Sequence, residues 1–218
     1  MPSEQVENYL KNIYKLQTVE EKVTTSLLSE KLEISSASVS EMIKKLAEEG
    51  TLKHTPYKGV ELTKEGEKLA LKIIRRHRLW EMFLVQVLHF QWDEIDEEAE
   101  KFEHIMSQKM EDKIDKVLHY PTMDPHGDPI PQRNGTIKPN SAYPLSDAKK
   151  STTVRVVRVS DTSSELLQYL SSVGIVLHKK IFVKECLRFD NSLIIKIHGQ
   201  KEITISNKIA MNIFVEKI

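Results

Sequence analysis

Two short stretches carry side chains that could hold a metal ion: His77 and Glu81 in RRHRLWEMFL, and Glu100, Glu103 and His104 in EEAEKFEHIMS. Positions three or four apart share a helix face, so each stretch would aim imidazole and carboxylate groups in one direction. These nitrogen and oxygen donors, with no thiolate, suit a divalent transition metal. One Glu–His pair is ordinary on a helix surface. Two such clusters downstream of a DNA-reading pattern are not. The rival chemistry is metal-assisted hydrolysis, but HExxH, paired-Asp, Ser-His-Asp and Gly-rich phosphate-loop patterns are absent from the sequence. The other alternative is a winged-helix module that binds DNA or protein without metal gating.

The elements that must position these groups follow from periodicity. Val6, Tyr9, Leu10, Ile13, Tyr14 and Leu16 repeat at helical spacing. Thr25 is expected to cap a short helix carrying Leu27, Leu28 and Leu32. After the turn ISSAS, Val39, Met42, Ile43 and Leu46 stripe the next helix, ending at Gly50. Leu52–His54 and Val60–Thr63 flank the turn Pro56-Tyr57-Lys58-Gly59 as a hairpin. Helix, helix, turn, helix and hairpin make a winged helix-turn-helix over 1–73.

A long helix is expected from Thr63 or Lys64 to about His89, and another from Asp93 to Leu118; residues 74–135 are assigned as a helical domain that carries both candidate metal-binding clusters, with dimerisation added by the family resemblance given below. Pro, Ser, Asn and Lys over 136–150 read as a linker. Short β-rich runs over 151–218 (Val154–Val159, Lys180–Val183, Ser192–Ile197, Glu202–Ile205 and Asn212–Ile218), with a helix near Glu165–Ser172, suggest a small β-barrel. The expected fold is mainly α with β.

Composition bounds the class. At 218 residues, 39% hydrophobic and 29% charged, the chain can bury a real core as a soluble protein. It holds no apolar run near ~18 residues and no signal-peptide pattern at MPSEQVENYL. One cysteine, Cys186, fits a reducing cytosol and reads as a packing residue in a strand. The net charge of +0 is unusual for a DNA binder, but its distribution is uneven. Asp93 to Asp115 holds ten acids against Lys101, Lys109 and Lys113, an excess that a bound cation would relieve.

The helix from about Ala37 to Glu49 is the candidate recognition element. Ser35, Ser36, Ala37, Ser38, Ser40 and Glu41 would meet base edges, although serines there can equally cap the helix. Lys44 and Lys45, with Lys53, His54, Tyr57 and Lys58 in the wing, are placed for phosphates.

ENYLKNIYKL, SSASVSEMIKKLAEEG, LTKEGEKLA, RRHRLWEMFL, EEAEKFEHIMS and DPHGDPIP together resemble the diphtheria toxin repressor family of iron- and manganese-dependent repressors. The C-terminal part resembles the SH3-like (FeoA-like) domain of its longer members. The resemblance implies a cytoplasmic homodimer that binds a palindromic DNA operator when Mn(II) or Fe(II) is bound, and represses metal-uptake genes. It implies regulatory-site ligands at His77, Glu100, Glu103 and His104. Asn8 stands where members place an aspartate or methionine, and Lys11 where some manganese-responsive members have a glutamate, which argues against their two-metal cluster. Glu100 replaces the cysteine of iron-responsive members. Glu81, Asp124 and His126, completed by Asp161 or Glu165, resemble a second site, with DPHGDPIP as a purely structural turn the equal alternative. Asp96, one turn before Glu100, is a further candidate.

Overall fold

The computed structural model describes residues 2–55, 58–137, 141–199 and 201–218. Tyr57 therefore lies outside the described residues. α1 (Glu4–Gln17) starts at Ser3, whose hydroxyl accepts from the Val6 amide, and buries Val6, Tyr9, Leu10 and Ile13. α2 (Thr25–Leu32) is capped by Thr24, one residue earlier than expected. α3 (Ser36–Glu48) is capped by Ser35 and buries Val39, Met42, Ile43 and Leu46. β1 (Leu52–Thr55) and β2 (Gly59–Leu62) pair antiparallel as the wing. The Val60 amide donates to the Val23 carbonyl at 2.9 Å, which ties the wing to the segment before α2. Leu10, Ile13, Leu28, Val39, Ile43 and Leu46 close one core, as a winged helix-turn-helix requires.

α4 (Lys64–Gln86) begins at the Thr63 cap and stops short of His89. Its first half joins the winged-helix core through Ala70, and its second half builds another with Leu79 and Met82. The single helix expected over 93–118 is two helices: α5 (Ile95–Glu103) and α6 (Gln108–Val117). The Ser107 hydroxyl accepts from the Met110 amide at 3.2 Å, starting α6 afresh. Met106, 2% exposed, is drawn at the break into the core with Leu79, Met82 and Ile114. Buried Arg75 clamps the arrangement: its guanidinium donates to Glu111 (2.9 Å), Asp115 (2.6 Å) and the Pro131 carbonyl (2.9 Å).

The C-terminal part is an antiparallel sheet of six strands in the order β3-β8-β4-β5-β6-β7. They are β3 (Tyr143–Pro144), β4 (Thr152–Val159), β5 (Lys180–Cys186), β6 (Leu193–Ile197), β7 (Glu202–Ile205) and β8 (Ile213–Lys217). α7 (Ser164–Ser172) connects β4 to β5, and the short α8 (Asn207–Ala210) precedes β8. Three expectations change here. The sheet is open rather than a closed barrel: β3 and β7 stand at its edges with no pairing between them among the described residues. Two-residue β3 and four-residue β7 are too short to close it, although register shifts at Val156/Arg158 and Val183/Glu185 bend it. The segment expected as a linker also contributes β3 and the fully buried Leu145 to this layer. Cys186, expected to pack, is exposed at the end of β5.

The sheet rests on the helical region through the 121–132 loop. The Val159 amide donates to the His126 carbonyl at 2.9 Å, Trp92 Nε1 donates to Ser171 Oγ at 2.8 Å, and Gln168 Nε2 donates to Asp93 at 2.9 Å.

Candidate metal centre

Three helices converge on one buried point. α4 supplies His77, whose Nδ1 is 2.6 Å from Glu103 Oε2 and 3.8 Å from Glu100 Oε2 of α5. His104, just past α5, has Nε2 3.2 Å from Glu103 Oε1. α1 reaches both ring nitrogens of His104: Glu7 Oε2 is 2.7 Å from Nδ1 and Asn8 Oδ1 is 3.0 Å from Nε2. Glu103 is wholly buried and His77 is 3% exposed. One oxygen or nitrogen from each of His77, Glu100 and Glu103 lies within 4.8 Å of the others, close enough for a single ion. Lys11 of α1 points into the same place, its Nζ 2.5 Å from both Glu100 Oε2 and Glu103 Oε1.

A second cluster lies on the far side of the His77 ring. His77 Nε2 is 3.2 Å from Asp96 Oδ1 and 3.6 Å from Glu81 Oε1. Glu81 Oε1 is in turn 3.7 Å from His126 Nδ1. Glu81, His126 and Asp161 form another set able to share an ion, with Asp161 supplied by the segment after β4. Glu81 Oε1 and His126 Nδ1 are buried without a hydrogen-bond partner. Two orphaned donor atoms facing one another 3.7 Å apart are what a metal site without its ion presents, since buried polar groups are otherwise paired. His126 Nε2 is 2.8 Å from the Trp92 carbonyl, the outer contact that orients a ligating histidine.

The charges are strongly coupled. Burial alone would push the His77 imidazole down, but the Glu81 carboxylate and the hydrogen bonds to Asp96 and Glu103 outweigh it and hold His77 well above the ordinary range. The hydrogen bond to His77 brings Asp96 down to about 2. Burial, then repulsion from Glu81, pushes Asp124 up to about 7 against the pull of Arg78. In the ion-free chain the raised His77 contributes stability that is full below its unfolded value of about 6.5 and is lost as pH rises through its folded one. A ligating imidazole must lose a proton, so apparent Mn(II) affinity should fall between about pH 8 and about pH 6. Titrations at both values check this, and equal affinities would exclude His77 as a ligand.

Known protein families match this architecture over most of its length. Residues 1–60 match "Iron dependent repressor, N-terminal DNA binding domain", residues 63–132 match "Iron dependent repressor, metal binding and dimerisation domain", and residues 143–217 match the FeoA domain. The iron-dependent repressor IdeR of Mycobacterium leprae is 30% identical over 230 residues, covering 97% of this chain and 96% of the relative. The chain belongs to the iron-dependent repressor family. It is a metal-dependent transcriptional repressor. The diphtheria toxin repressor of Corynebacterium efficiens is 27% identical over 222 residues, covering 97% of this chain and 95% of that protein. Among solved structures, a manganese-dependent transcriptional repressor in complex with manganese is 36% identical with a TM-score of 0.91, covering 98% of this repressor and all of that chain. The apo form of the manganese-activated repressor ScaR is 36% identical with a TM-score of 0.83, covering 97% and 100%. These relatives are named as repressors and none as an enzyme, and nothing in them favours the hydrolase alternative.

The structure distributes the sequence-derived candidates of this repressor unevenly. His77, Glu100, Glu103, His104 and Asn8 come together, and so do Glu81, His126 and Asp161. Glu165 does not join them: it is exposed in the first turn of α7 and accepts from the Ser163 hydroxyl at 2.7 Å. Asp124 is committed elsewhere, 3.2 Å from Arg78 Nε and accepting from the His126 and Asp128 amides at 2.9 Å each. Sequence reasoning passed over Glu7, although an acid beside Asn8 was the available signal. Asp96, a further candidate one turn before Glu100, is a direct partner of His77.

On the DNA-facing side, Ser35, Ser36, Ala37, Ser38, Ser40, Glu41, Lys44 and Lys45 are exposed on and before α3, with Lys53, His54 and Lys58 exposed in the wing. Ser35 spends its hydroxyl on capping, with the Ser38 amide at 3.2 Å and the Ser38 hydroxyl at 2.9 Å. Ser40 donates to the Ser36 carbonyl at 2.8 Å.

Proposed function

We propose that this repressor binds operator DNA when Mn(II) or Fe(II) occupies the cluster of His77, Glu100, Glu103 and His104, with Asn8 of α1 contributing its amide oxygen. The observation that carries the reading is the convergence of α1, α4 and α5 on the buried Glu103 carboxylate, because α1 belongs to the DNA-reading unit and α5 does not. A bound divalent ion would supply the positive charge that lets Glu100 and Glu103 stay close. With those carboxylates held, α1 is fixed against α5 and the angle of the reading head is set. Glu100 offers oxygen rather than thiolate, which hardens the donor set and favours Mn(II), while Fe(II) accepts the same donors.

A second ion is held by Glu81, His126 and Asp161, supported by the unpaired buried atoms of the first two. Dimerisation uses the apolar surface at Phe102 and Ile105, which are 38% and 76% exposed. Two α3 helices then meet half-sites of a palindromic operator one helical turn apart or a multiple of it. Their exposed Ser36, Ala37, Ser38 and Glu41 face the bases, while Lys44, Lys45, Lys53 and Lys58 meet phosphates. No helix among the described residues is long and apolar enough to cross a membrane, and we place the repressor in the cytoplasm with its C-terminal unit as an SH3-like domain of partly open form.

The test is fluorescence anisotropy of labelled operator DNA at fixed salt, with Mn(II), Fe(II) and Zn(II) titrated separately. Binding should tighten with Mn(II) or Fe(II) and vanish with a chelator. Operator affinity indifferent to all three ions would reject the metal gate.

A further inference from the structure

The ammonium of Lys11 lies where an ion bridging Glu100 and Glu103 would lie. It is 2.5 Å from one oxygen of each, and those oxygens belong to the set of ligand atoms that with His77 can surround an ion. Lys11 is 2% exposed, so it is neither a surface lysine nor free to leave without moving. A divalent ion holds carboxylate oxygen at roughly 2.0–2.2 Å, so the ammonium and an ion cannot share these two atoms. Two cations this close in a buried site also repel strongly.

We propose that Lys11 is a tethered cation that fills the metal's carboxylates in the ion-free repressor and must be displaced for metal to enter, so that it sets the metal concentration at which the repressor responds. This rests on the reading of His77, Glu100 and Glu103 as ligands. In the ion-free chain Lys11 neutralises two acids that would otherwise repel. On metal binding it releases both oxygens and carries its charge, with its proton, toward the protein surface. The balance is an exchange of one ammonium for one divalent ion on the same oxygens.

The consequence is opposite to that expected of an ordinary supporting residue, whose loss weakens metal binding about 10- to 100-fold. Lys11→Met, similar in length and uncharged, should tighten Mn(II) binding by about tenfold or more, on the scale of such neighbouring-group effects. Affinity is read by competition with a fluorescent chelator. Thermal unfolding in chelator should occur at lower temperature than for wild type, and the rise in Tm on adding Mn(II) should be larger. Lys11→Arg, which keeps the charge, should bind Mn(II) no more tightly than wild type. Lys11→Gln, which keeps a hydrogen-bond donor without the charge, serves if the Met variant does not fold, and should also tighten binding. Unchanged or weaker Mn(II) affinity in the folded uncharged variants overturns the displacement. Absence of Mn(II) binding in both wild type and variants overturns the ligand assignment itself.

Discussion

Glu103→Gln should lower Mn(II) affinity at least about 100-fold, beyond the ~10- to 100-fold typical of outer-shell changes, and should abolish metal-induced operator binding. The reason is the number of groups that depend on this one carboxylate. Glu103 is 0% exposed and contacts Lys11 at 2.5 Å, His77 at 2.6 Å and His104 at 3.2 Å. Glutamine keeps the shape but loses the charge, and its amide nitrogen turns a donor toward neighbours that are donors too. The ion-free chain should still fold, at a cost of about 1–3 kcal/mol for the mismatched polar group. Glu103→Ala should be worse by a different route. It strands the Lys11 ammonium in the interior, and breaking a buried pair in this way costs about 3–5 kcal/mol. Titration calorimetry with Mn(II), operator anisotropy and thermal unfolding in chelator separate the two effects. A Gln variant that responds to Mn(II) like wild type would remove Glu103 from the site.

Gly127→Ala should erase the second metal equivalent while sparing the first. Gly127 has φ of +90°, and a Cβ there would stand 2.1 Å from the Val157 carbonyl oxygen and 2.8 Å from Arg158 Cα. Both obstacles are backbone, so the loop must lift away from β4. Lifting breaks the bond between the Val159 amide and the His126 carbonyl and draws His126 away from Asp161. The left-handed conformation adds about 1–3 kcal/mol of strain for a residue with a side chain. Gly135→Ala is the control: its φ is +79°, but its nearest neighbour is Lys68 Cγ at 3.6 Å, so it carries strain without the collision. Metal content after gel filtration in Mn(II) should fall by one equivalent in Gly127→Ala and stay unchanged in Gly135→Ala. Equal stoichiometry in both variants would show that the 121–132 loop does not shape the second cluster.

Local signals carried the winged helix and the spacing of the candidate ligands, because both depend on periodicity within a single element. His77 on α4 and Glu100, Glu103 and His104 at the end of α5 share a face for the reason their spacing implies. The break at Ser107 was harder to read, since the apolar pattern runs on through Met106 and only the capping hydroxyl interrupts it. Closure of the sheet depended on how far β3 and β7 extend and pair, which alternation within each strand does not encode. Glu7 escaped, and the inward aim of Lys11 went unread, for a tertiary reason. Their neighbours lie about ninety positions downstream, so that aim follows from how α1 packs on α4 and α5. Asp124 was misjudged because Arg78, which occupies it, belongs to a different motif in the sequence.

If the proposed second site holds an ion, the bond from Val159 to His126 and the nearness of Asp161 to Glu81 make the C-terminal sheet a wall of that chamber and not an appendage. Amputating it would unroof that chamber, remove one of its three anionic or imidazole arms, and leave the His126 carbonyl without its donor. On that reading a shortened chain would bind one ion in place of two, with a differently shaped dose response.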